Sequence, residues 1–147
     1  MKSGLERLAD AGWKPSRFVD PEPAVELLAE IGIEVPDSVR ASMAELDGLD
    51  INFERNDRPD VIRFSVKEAA ENSEVERLKS YSRDAGCPLV PVGSARHGYI
   101  TLFVSGDGRW FGGLDSELWL LGESVGHAIE CIVAGTGHLE INGFGSS

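Results

Sequence analysis

The segment from residue 87 to residue 113 constrains the fold more than any other part of this chain. It contains three short runs of β-branched, aromatic or leucine residues, which suit the pleated surface of a sheet, and glycine-rich turns separate these runs. The predicted strands are residues 89–92, residues 99–104 and the residues from 109 onward. Pro88 and Pro91 cannot donate a hydrogen bond to a neighbouring strand, so we expect the first strand to lie at a sheet edge or to carry a bulge. This segment therefore predicts an antiparallel meander that serves as a scaffold.

The chain on either side of this segment predicts helices, one further hairpin and one further strand over residues 117–121. Capping residues mark the helix starts, because their side chains accept hydrogen bonds from free backbone N–H groups. The expected helices begin at or near Ser3, Asp20, Pro36, residue 74 and Ser124. Alternating apolar and polar residues over 49–54 and an apolar run over 61–66 predict two paired strands. Ser65 and Glu68 form a second capping box, which we interpret as leading to the helix near residue 74, with Val75 on its buried edge.

Net charge limits the partners that this chain can bind. Its 147 residues suffice for one domain with a buried core, and a hydrophobic content of 41% is typical of a globular protein. Its net charge of −11 is not typical, and residues 20–60 hold twelve acidic and three basic residues, a net charge of −9. Such a surface repels nucleic-acid phosphates and anionic membranes, and it attracts basic proteins. We therefore expect no nucleic-acid partner and no membrane partner.

Three glutamates recur at a spacing of four residues in the predicted second helix. Glu22, Glu26 and Glu30 share one helix face, where like charges at this spacing destabilise a helix by about 0.2–0.5 kcal/mol per pair. A solvated face tolerates that cost. Two interpretations stay open: an ordinary solvated face, or an acidic recognition stripe.

The cysteines and histidines show no pattern of metal or redox chemistry. Cys87 and Cys131 lack the spacing of a metal or redox motif, so we interpret them as reduced, mostly buried thiols of a cytoplasmic protein. His97, His127 and His138 also lack metal-ligand spacing. The N-terminal residues lack the apolar run of a signal peptide, and no segment approaches the roughly 20 apolar residues of a membrane helix. We predict no metal and no cofactor.

One motif suggests catalysis, and the rest of the chain argues against it. Residues 122–126, Gly-Glu-Ser-Val-Gly, match the G-x-S-x-G motif of serine hydrolases. A hydrolase of that fold needs an acid and then a histidine after the serine. Glu130 and His138 have this order, but the chain leaves no room for the intervening strands. Because helix capping explains Ser124 fully, we predict that the chain is not an enzyme.

Several short motifs occur in a particular order between residues 5 and 135. They are Leu-Ala-Asp-Ala-Gly-Trp-Lys-Pro-Ser-Arg at 8–17, Pro-Leu-Val-Pro-Val-Gly at 88–93, Gly-Tyr-Ile-Thr-Leu-Phe-Val at 98–104, Gly-Asp-Gly-Arg at 106–109, Leu-Gly at 121–122, and a final helix that ends at Gly135. In this order they resemble the SUKH superfamily of bacterial immunity proteins, in particular its third subgroup. The resemblance implies a single α+β domain with a central, mostly antiparallel sheet flanked by helices. We assign residues 1–137 to this domain and expect residues 138–147 to form a flexible C-terminal tail.

The resemblance also implies a function, namely neutralisation of a cognate polymorphic toxin inside the bacterial cell that produces it. Such toxins are often nucleases, and the family supplies no catalytic residues. Together with the negative charge, this favours an immunity protein that binds a basic toxin domain and blocks the toxin by occlusion. The candidate partner-binding residues are Glu22, Glu26, Glu30, Asp50, Glu54 and Asp57.

A non-enzymatic scaffold or regulatory protein-interaction domain is the alternative function, as the resemblance to some eukaryotic members of the superfamily implies. Binding that weakens steeply with salt favours the immunity protein, because salt screens exposed charges. Binding through an apolar groove, insensitive to salt, favours the alternative. The sequence leaves the identity of the toxin, the binding face and the oligomeric state open.

Overall fold

The computed structural model of this chain describes residues 2–135 and 138–141, which form an α+β domain. The helices in this part of the chain are α1 Gly4–Asp10, α2 Glu22–Glu30, α3 Asp37–Leu46, α4 Val66–Glu71, α5 Val75–Ala85 and α6 Val125–Ala134. The strands are β1 Asp50–Arg55, β2 Arg58–Arg63, β3 Leu89–Ala95, β4 Ile100–Ser105, β5 Trp110–Leu114, β6 Glu117–Gly122 and β7 Leu139–Glu140. The predicted fold class is confirmed.

All of these strands belong to one antiparallel sheet, in which each strand pairs with the next one along the chain. Asn56 and Asp57 connect β1 to β2, and both have positive φ, as a two-residue primed turn requires. The three strands predicted within residues 87–113 are confirmed as β3, β4 and β5. Tyr99, which was expected to begin the second of them, lies in the preceding turn and is 73% exposed.

Strand β3 lies in the interior of the sheet and carries a bulge between Pro91 and Gly93. Of the two arrangements expected for the prolines, an edge strand or a bulge, the structure has the bulge. The sheet tolerates prolines here because β3 joins β2 through one residue pair, Arg63 with Ser94, and packs against α4 beside that pair. Gly93 lies at this junction, where an added Cβ would be 2.5 Å from the carbonyl oxygen of Arg63. Glycine therefore allows the two backbones to approach each other.

The two faces of the sheet are covered unequally. Successive residues of β4 point to opposite faces, so that Leu102 and Val104 enter one buried cluster and Phe103 enters another. Helices α1, α2, α3, α4 and α6 all contribute to the first cluster. Among the described helices, α5 alone covers the second cluster, through Leu78 and Tyr81. The second face is therefore the less protected side of the sheet.

Most of the predicted helix starts are confirmed. The Ser3 hydroxyl accepts a hydrogen bond from the backbone N–H of Glu6, and the Glu6 carboxylate accepts one in return from the Ser3 N–H. Helix α2 begins at Glu22 with Pro21 as its N-cap residue, one residue later than predicted, and the Asp20 carboxylate accepts a hydrogen bond of 3.1 Å from the Glu22 N–H. Pro36 directly precedes α3. The capping residues therefore set the boundaries that the sequence indicates.

The segment between β2 and β3 holds two helices where the sequence suggested one. The Ser65 hydroxyl accepts a hydrogen bond from the N–H of Glu68 at 3.3 Å and caps α4, and α5 follows after a short break. Val75 is 40% exposed, so its expected burial is wrong. The break makes Val75 the first residue of α5 and leaves it exposed, whereas Leu78 is buried in the second cluster.

The first helix packs against the last one. A Cβ added to Gly4 would lie 2.1 Å from the carbonyl oxygen of Gly126, so the backbones of α1 and α6 are in direct contact. The backbone N–H of Gly4 donates a hydrogen bond of 2.9 Å to the Glu130 carboxylate on α6. Helices α1 and α6 therefore belong to the same helical layer, over the first cluster.

The segment expected to form a flexible tail contains a short strand. Leu139 and Glu140 pair with β6 and form β7. Residues 142–147 lie outside the described residues. The flexibility of the C-terminal tail therefore stays a prediction.

Substitution of Gly93 by alanine tests the junction between β2 and β3. The new methyl group would meet a backbone oxygen that cannot rotate away, so we expect Gly93→Ala to lower the free energy of unfolding by about 1–3 kcal/mol. Urea unfolding followed by circular dichroism measures this loss. Gly106→Ala is the control, because its added Cβ would lie 3.4 Å from the nearest atom, in the Pro36 ring. Equal stability of the two variants would contradict a tight junction.

Candidate partner-binding surface

Helix α2 presents its three glutamates to solvent. Glu22, Glu26 and Glu30 are exposed, while Leu28 on the opposite side is fully buried in the first cluster. Glu22 forms an ion pair with Arg40 of α3. Glu26 and Glu30 make no ion pair with any residue that the structure describes, and their charges are therefore available to a partner.

The other three candidates lie on the hairpin formed by β1 and β2. Asp50 and Glu54 are exposed on the outer face of β1, and Asp57 is exposed in the turn at its tip. The Asp50 carboxylate accepts a hydrogen bond of 3.1 Å from Arg63 on β2, which also lies 4.0 Å from Glu68 on α4. The hydrogen bond and the charge of Asp50, together with the charge of Glu68, raise the pKa of Arg63.

The structure brings the six candidates into two groups of three. Helix α2 packs mainly against α4, whereas the hairpin packs against α1 and α6 through the inner face of β1, which carries Ile51 and Phe53. Because side chains alternate along a strand, Asp50 and Glu54 point away from that packed face. The acidic surface therefore consists of an α2 stripe (Glu22, Glu26 and Glu30) and a hairpin face (Asp50, Glu54 and Asp57).

One acidic residue of the same segment has a different role, which the sequence analysis missed. Asp60 on β2 has a side chain that is only 1% exposed. Its carboxylate accepts hydrogen bonds from Arg55 Nε at 3.1 Å, from its neighbour Val61 N at 2.7 Å, and from His97 N at 3.3 Å. Burial alone would raise the pKa of Asp60, but these bonds and the nearby His97 charge together lower it. The alternation of β2 was the available signal, because it places Asp60 on the same face as the buried Ile62.

Asp60 also holds the turn between β3 and β4 in place. Arg96 and His97 both have positive φ, at 52° and 56°, and Gly98 follows at 86°. Side chains other than glycine adopt this region at a cost, so the surrounding contacts must stabilise it. The bond from the His97 N–H to Asp60 links this turn to the hairpin that carries half of the acidic surface.

Substitution of Asp60 by asparagine tests this link. Asparagine keeps an acceptor oxygen but loses the charge that faces Arg55, so we expect Asp60→Asn to lower the free energy of unfolding by about 1.5–3 kcal/mol at pH 7. The folded-state pKa of Asp60 is lowered, so ionised Asp60 stabilises the fold. This stabilisation is complete above the unfolded-state pKa of about 3.9 and is lost as the pH falls through the folded-state pKa.

Urea unfolding between pH 7 and pH 3 measures that dependence. We expect the stability difference between the wild type and Asp60→Asn to shrink as the pH falls below about 4. Asp57→Asn is the matched control, since Asp57 is exposed and asparagine suits its positive φ. A difference that stays constant down to pH 3 would show that the charge of Asp60 is not what stabilises the fold.

Ser124 caps α6, as predicted. Its hydroxyl accepts a hydrogen bond of 3.2 Å from the backbone N–H of His127, and its backbone is extended, at φ −152° and ψ 161°. A nucleophile elbow instead places its serine on a strained turn. The other two members of the possible triad have partners elsewhere: the Glu130 carboxylate binds the N–H of Gly4, and the His138 ring lies edge-on to Trp119.

A pair of substitutions separates capping from catalysis at Ser124. We expect Ser124→Ala to lower the free energy of unfolding by about 1 kcal/mol and Ser124→Asp to restore it, because aspartate is an equally good N-cap. Thermal unfolding measures both changes. If Ser124→Asp were no more stable than Ser124→Ala, the capping role would be wrong.

The described part of the chain offers no evident metal site or membrane helix. No group of three or more His, Cys, Asp or Glu side chains within it is placed to hold a metal ion. None of its helices is long and apolar enough to span a bilayer. Cys87 and Cys131 are free thiols, and burial raises the pKa of Cys131.

The structure defines a small α+β domain with exposed carboxylates on α2 and on the β1–β2 hairpin. The family model of the SUKH-3 immunity proteins matches residues 2–135, which is nearly the whole chain. The chain therefore belongs to the SUKH-3 immunity protein family, and the resemblance noted in the sequence is confirmed. No curated protein and no solved structure matches the chain.

Proposed function

We propose that this chain binds a cognate toxin in the cytoplasm of the bacterium that produces it and neutralises the toxin by covering its active site. The observation that supports the proposal most is the match to the SUKH-3 immunity protein family over residues 2–135. The family supports a toxin-immunity role, and the charge of the chain suggests the kind of toxin. A basic domain, such as a nuclease, would be attracted to residues 20–60, where the net charge is −9.

The placement of the carboxylates supports electrostatic steering. Glu26, Glu30, Glu54 and Asp57 are exposed and make no ion pair with the described residues, so their charges are not neutralised locally. Glu22 and Asp50 each form an ion pair with an arginine, so they would contribute less to the negative electrostatic potential of the surface. Surface charges of this kind raise the association rate and the specificity more than the final affinity.

Occlusion requires no reaction at the immunity protein, which agrees with the capping role of Ser124. Inhibition would come from shape and charge alone, so the protein needs no metal and no cofactor. The negative surface would also keep it away from the nucleic-acid substrate of a nuclease, because that substrate is itself an anion.

A non-enzymatic scaffold or regulatory interaction domain is the second candidate, and one feature favours it. An apolar groove lies between α5 and residues 31–36, and we call it the α5 groove. Its walls include Ile31, Ile33, Val35, Leu78 and Leu89. Binding that depends on this groove alone, with no response to salt, would support the scaffold.

Neutralising the unpaired carboxylates tests the steering proposal. The probe is the protein encoded by the adjacent reading frame, and surface plasmon resonance gives both rate constants. We expect Glu26→Gln with Glu30→Gln, or Glu54→Gln with Asp57→Asn, to lower the association rate constant roughly three- to tenfold at low salt, with little change in dissociation. Raising the salt concentration should reduce this difference.

A variant with Glu74→Gln and Glu123→Gln is the matched control, because it removes two exposed carboxylates outside residues 20–60. The two test variants also show which acidic group faces the toxin. If both test variants associate as fast as the control, acidic steering by residues 20–60 is wrong. If the wild type does not bind the neighbouring product at all, the proposed toxin partner is wrong.

A further inference from the structure

The α5 groove lies on the sheet face that carries the least helical cover. On that face α5 is the one described helix over the second buried cluster, so its flank is open. One wall of the groove is the loop over residues 31–36, and the other is the edge of α5 that carries Val75, Lys79 and Arg83. Its volume is about 970 Å³, and the start of β3 forms its floor through Pro88 and Leu89.

The charges at the rim of this groove differ in sign from those of the acidic surface. The Arg83 side chain is exposed and makes no hydrogen bond or ion pair with the residues that the structure describes. Lys79, one turn earlier on the same edge, lies 3.6 Å from the exposed Glu76. On the opposite wall, the charged residue among the described lining residues is Glu34, which is negative. The α5 wall is therefore locally cationic in a strongly anionic protein.

We propose that the α5 groove receives an apolar segment of the toxin that carries a carboxylate, with its apolar side chains against Val75 and Leu78 and its carboxylate on Arg83. This inference rests on the proposed function and adds the position of the main anchor. A guanidinium group binds a carboxylate through two parallel hydrogen bonds, so Arg83 fixes the register of the segment. Glu34 repels a second carboxylate on the opposite wall and so selects one orientation of the segment.

The groove and the acidic surface then have separate effects on the binding rates. Exposed carboxylates on the α2 stripe and the hairpin face accelerate the encounter with a basic toxin domain. Apolar anchors that fill a groove and exclude water slow dissociation, because a few buried contacts carry most of the binding energy. A substitution in the groove should therefore change dissociation, whereas a substitution on the acidic surface should change association.

Two groove substitutions and one control test the inference. Val75→Glu places a negative charge among the apolar walls, where it repels the carboxylate of the segment, and Arg83→Glu reverses the charge that faces that carboxylate. Phe18→Glu is the control, since Phe18 is an equally apolar residue that is 71% exposed and does not line the groove. Matching thermal unfolding curves show that all three variants are folded.

The first measurement is binding of the adjacent reading frame's product by surface plasmon resonance. We expect Val75→Glu and Arg83→Glu to raise the dissociation rate constant about tenfold or more, with little change for Phe18→Glu. If the wild type binds and both groove variants dissociate no faster than Phe18→Glu, the groove inference is wrong while the proposed function stands. If the wild type does not bind, the proposed function is wrong, and so is the inference that a toxin segment occupies the groove.

The second measurement needs no toxin. The dye 1-anilinonaphthalene-8-sulfonate combines an apolar ring system with an anionic group, so it imitates the proposed segment. We expect the wild type and Phe18→Glu to give a saturable rise in fluorescence that both groove variants reduce at least about threefold. Equal titrations for all four proteins would show that the groove does not bind an apolar anion and would overturn the inference. A dimer in light scattering that Val75→Glu dissociates would also overturn it, because the occupant would be a second copy.

Discussion

The narrow junction between β2 and β3 is the constraint on which the placement of the acidic surface depends. One backbone pair, Arg63 with Ser94, joins the first hairpin to the rest of the sheet, and Gly93 permits the close approach at this point. The buried Asp60 adds a second link, because it accepts a hydrogen bond from His97 in the next turn. These few contacts orient the hairpin so that its apolar face meets α1 and α6 and its carboxylates face solvent.

The unequal cover of the sheet connects the fold with the proposed function. Five helices on one face leave an exterior that is rich in charge, and one helix on the other face leaves an apolar flank open. A binding protein gains from this division, since charge governs the encounter and apolar contact governs the lifetime of the complex. Glu26 and Val75 represent the two roles, and they lie on different helices of one small domain.

The sequence predicts this fold wherever local chemistry decides the structure. Ser3, Asp20 and Ser124 mark helix starts correctly, because a cap depends on a few adjacent residues. Pro91 predicts the bulge but not the interior position of β3, since the neighbouring strand is distant in sequence. The sequence does not distinguish Asp60 from the exposed acidic residues, because no neighbouring residue indicates that Arg55 and His97 bind its carboxylate. The α5 groove likewise depends on a loop and a helix that are distant in sequence, residues 31–36 and Val75–Ala85, so no local pattern indicates it.

The consecutive order of the strands has a consequence for how the domain is made. Each strand can pair with the strand synthesised just before it, so the sheet can grow as the ribosome delivers the chain. The contact of α1 with α6 is different, because Gly4 must wait until Gly126 and Glu130 have been translated. Helix α1 can pack against β1 early, but its contact with α6 forms only after most of the chain has been made. A nascent chain that stops before residue 125 therefore leaves that side of α1 exposed to proteases.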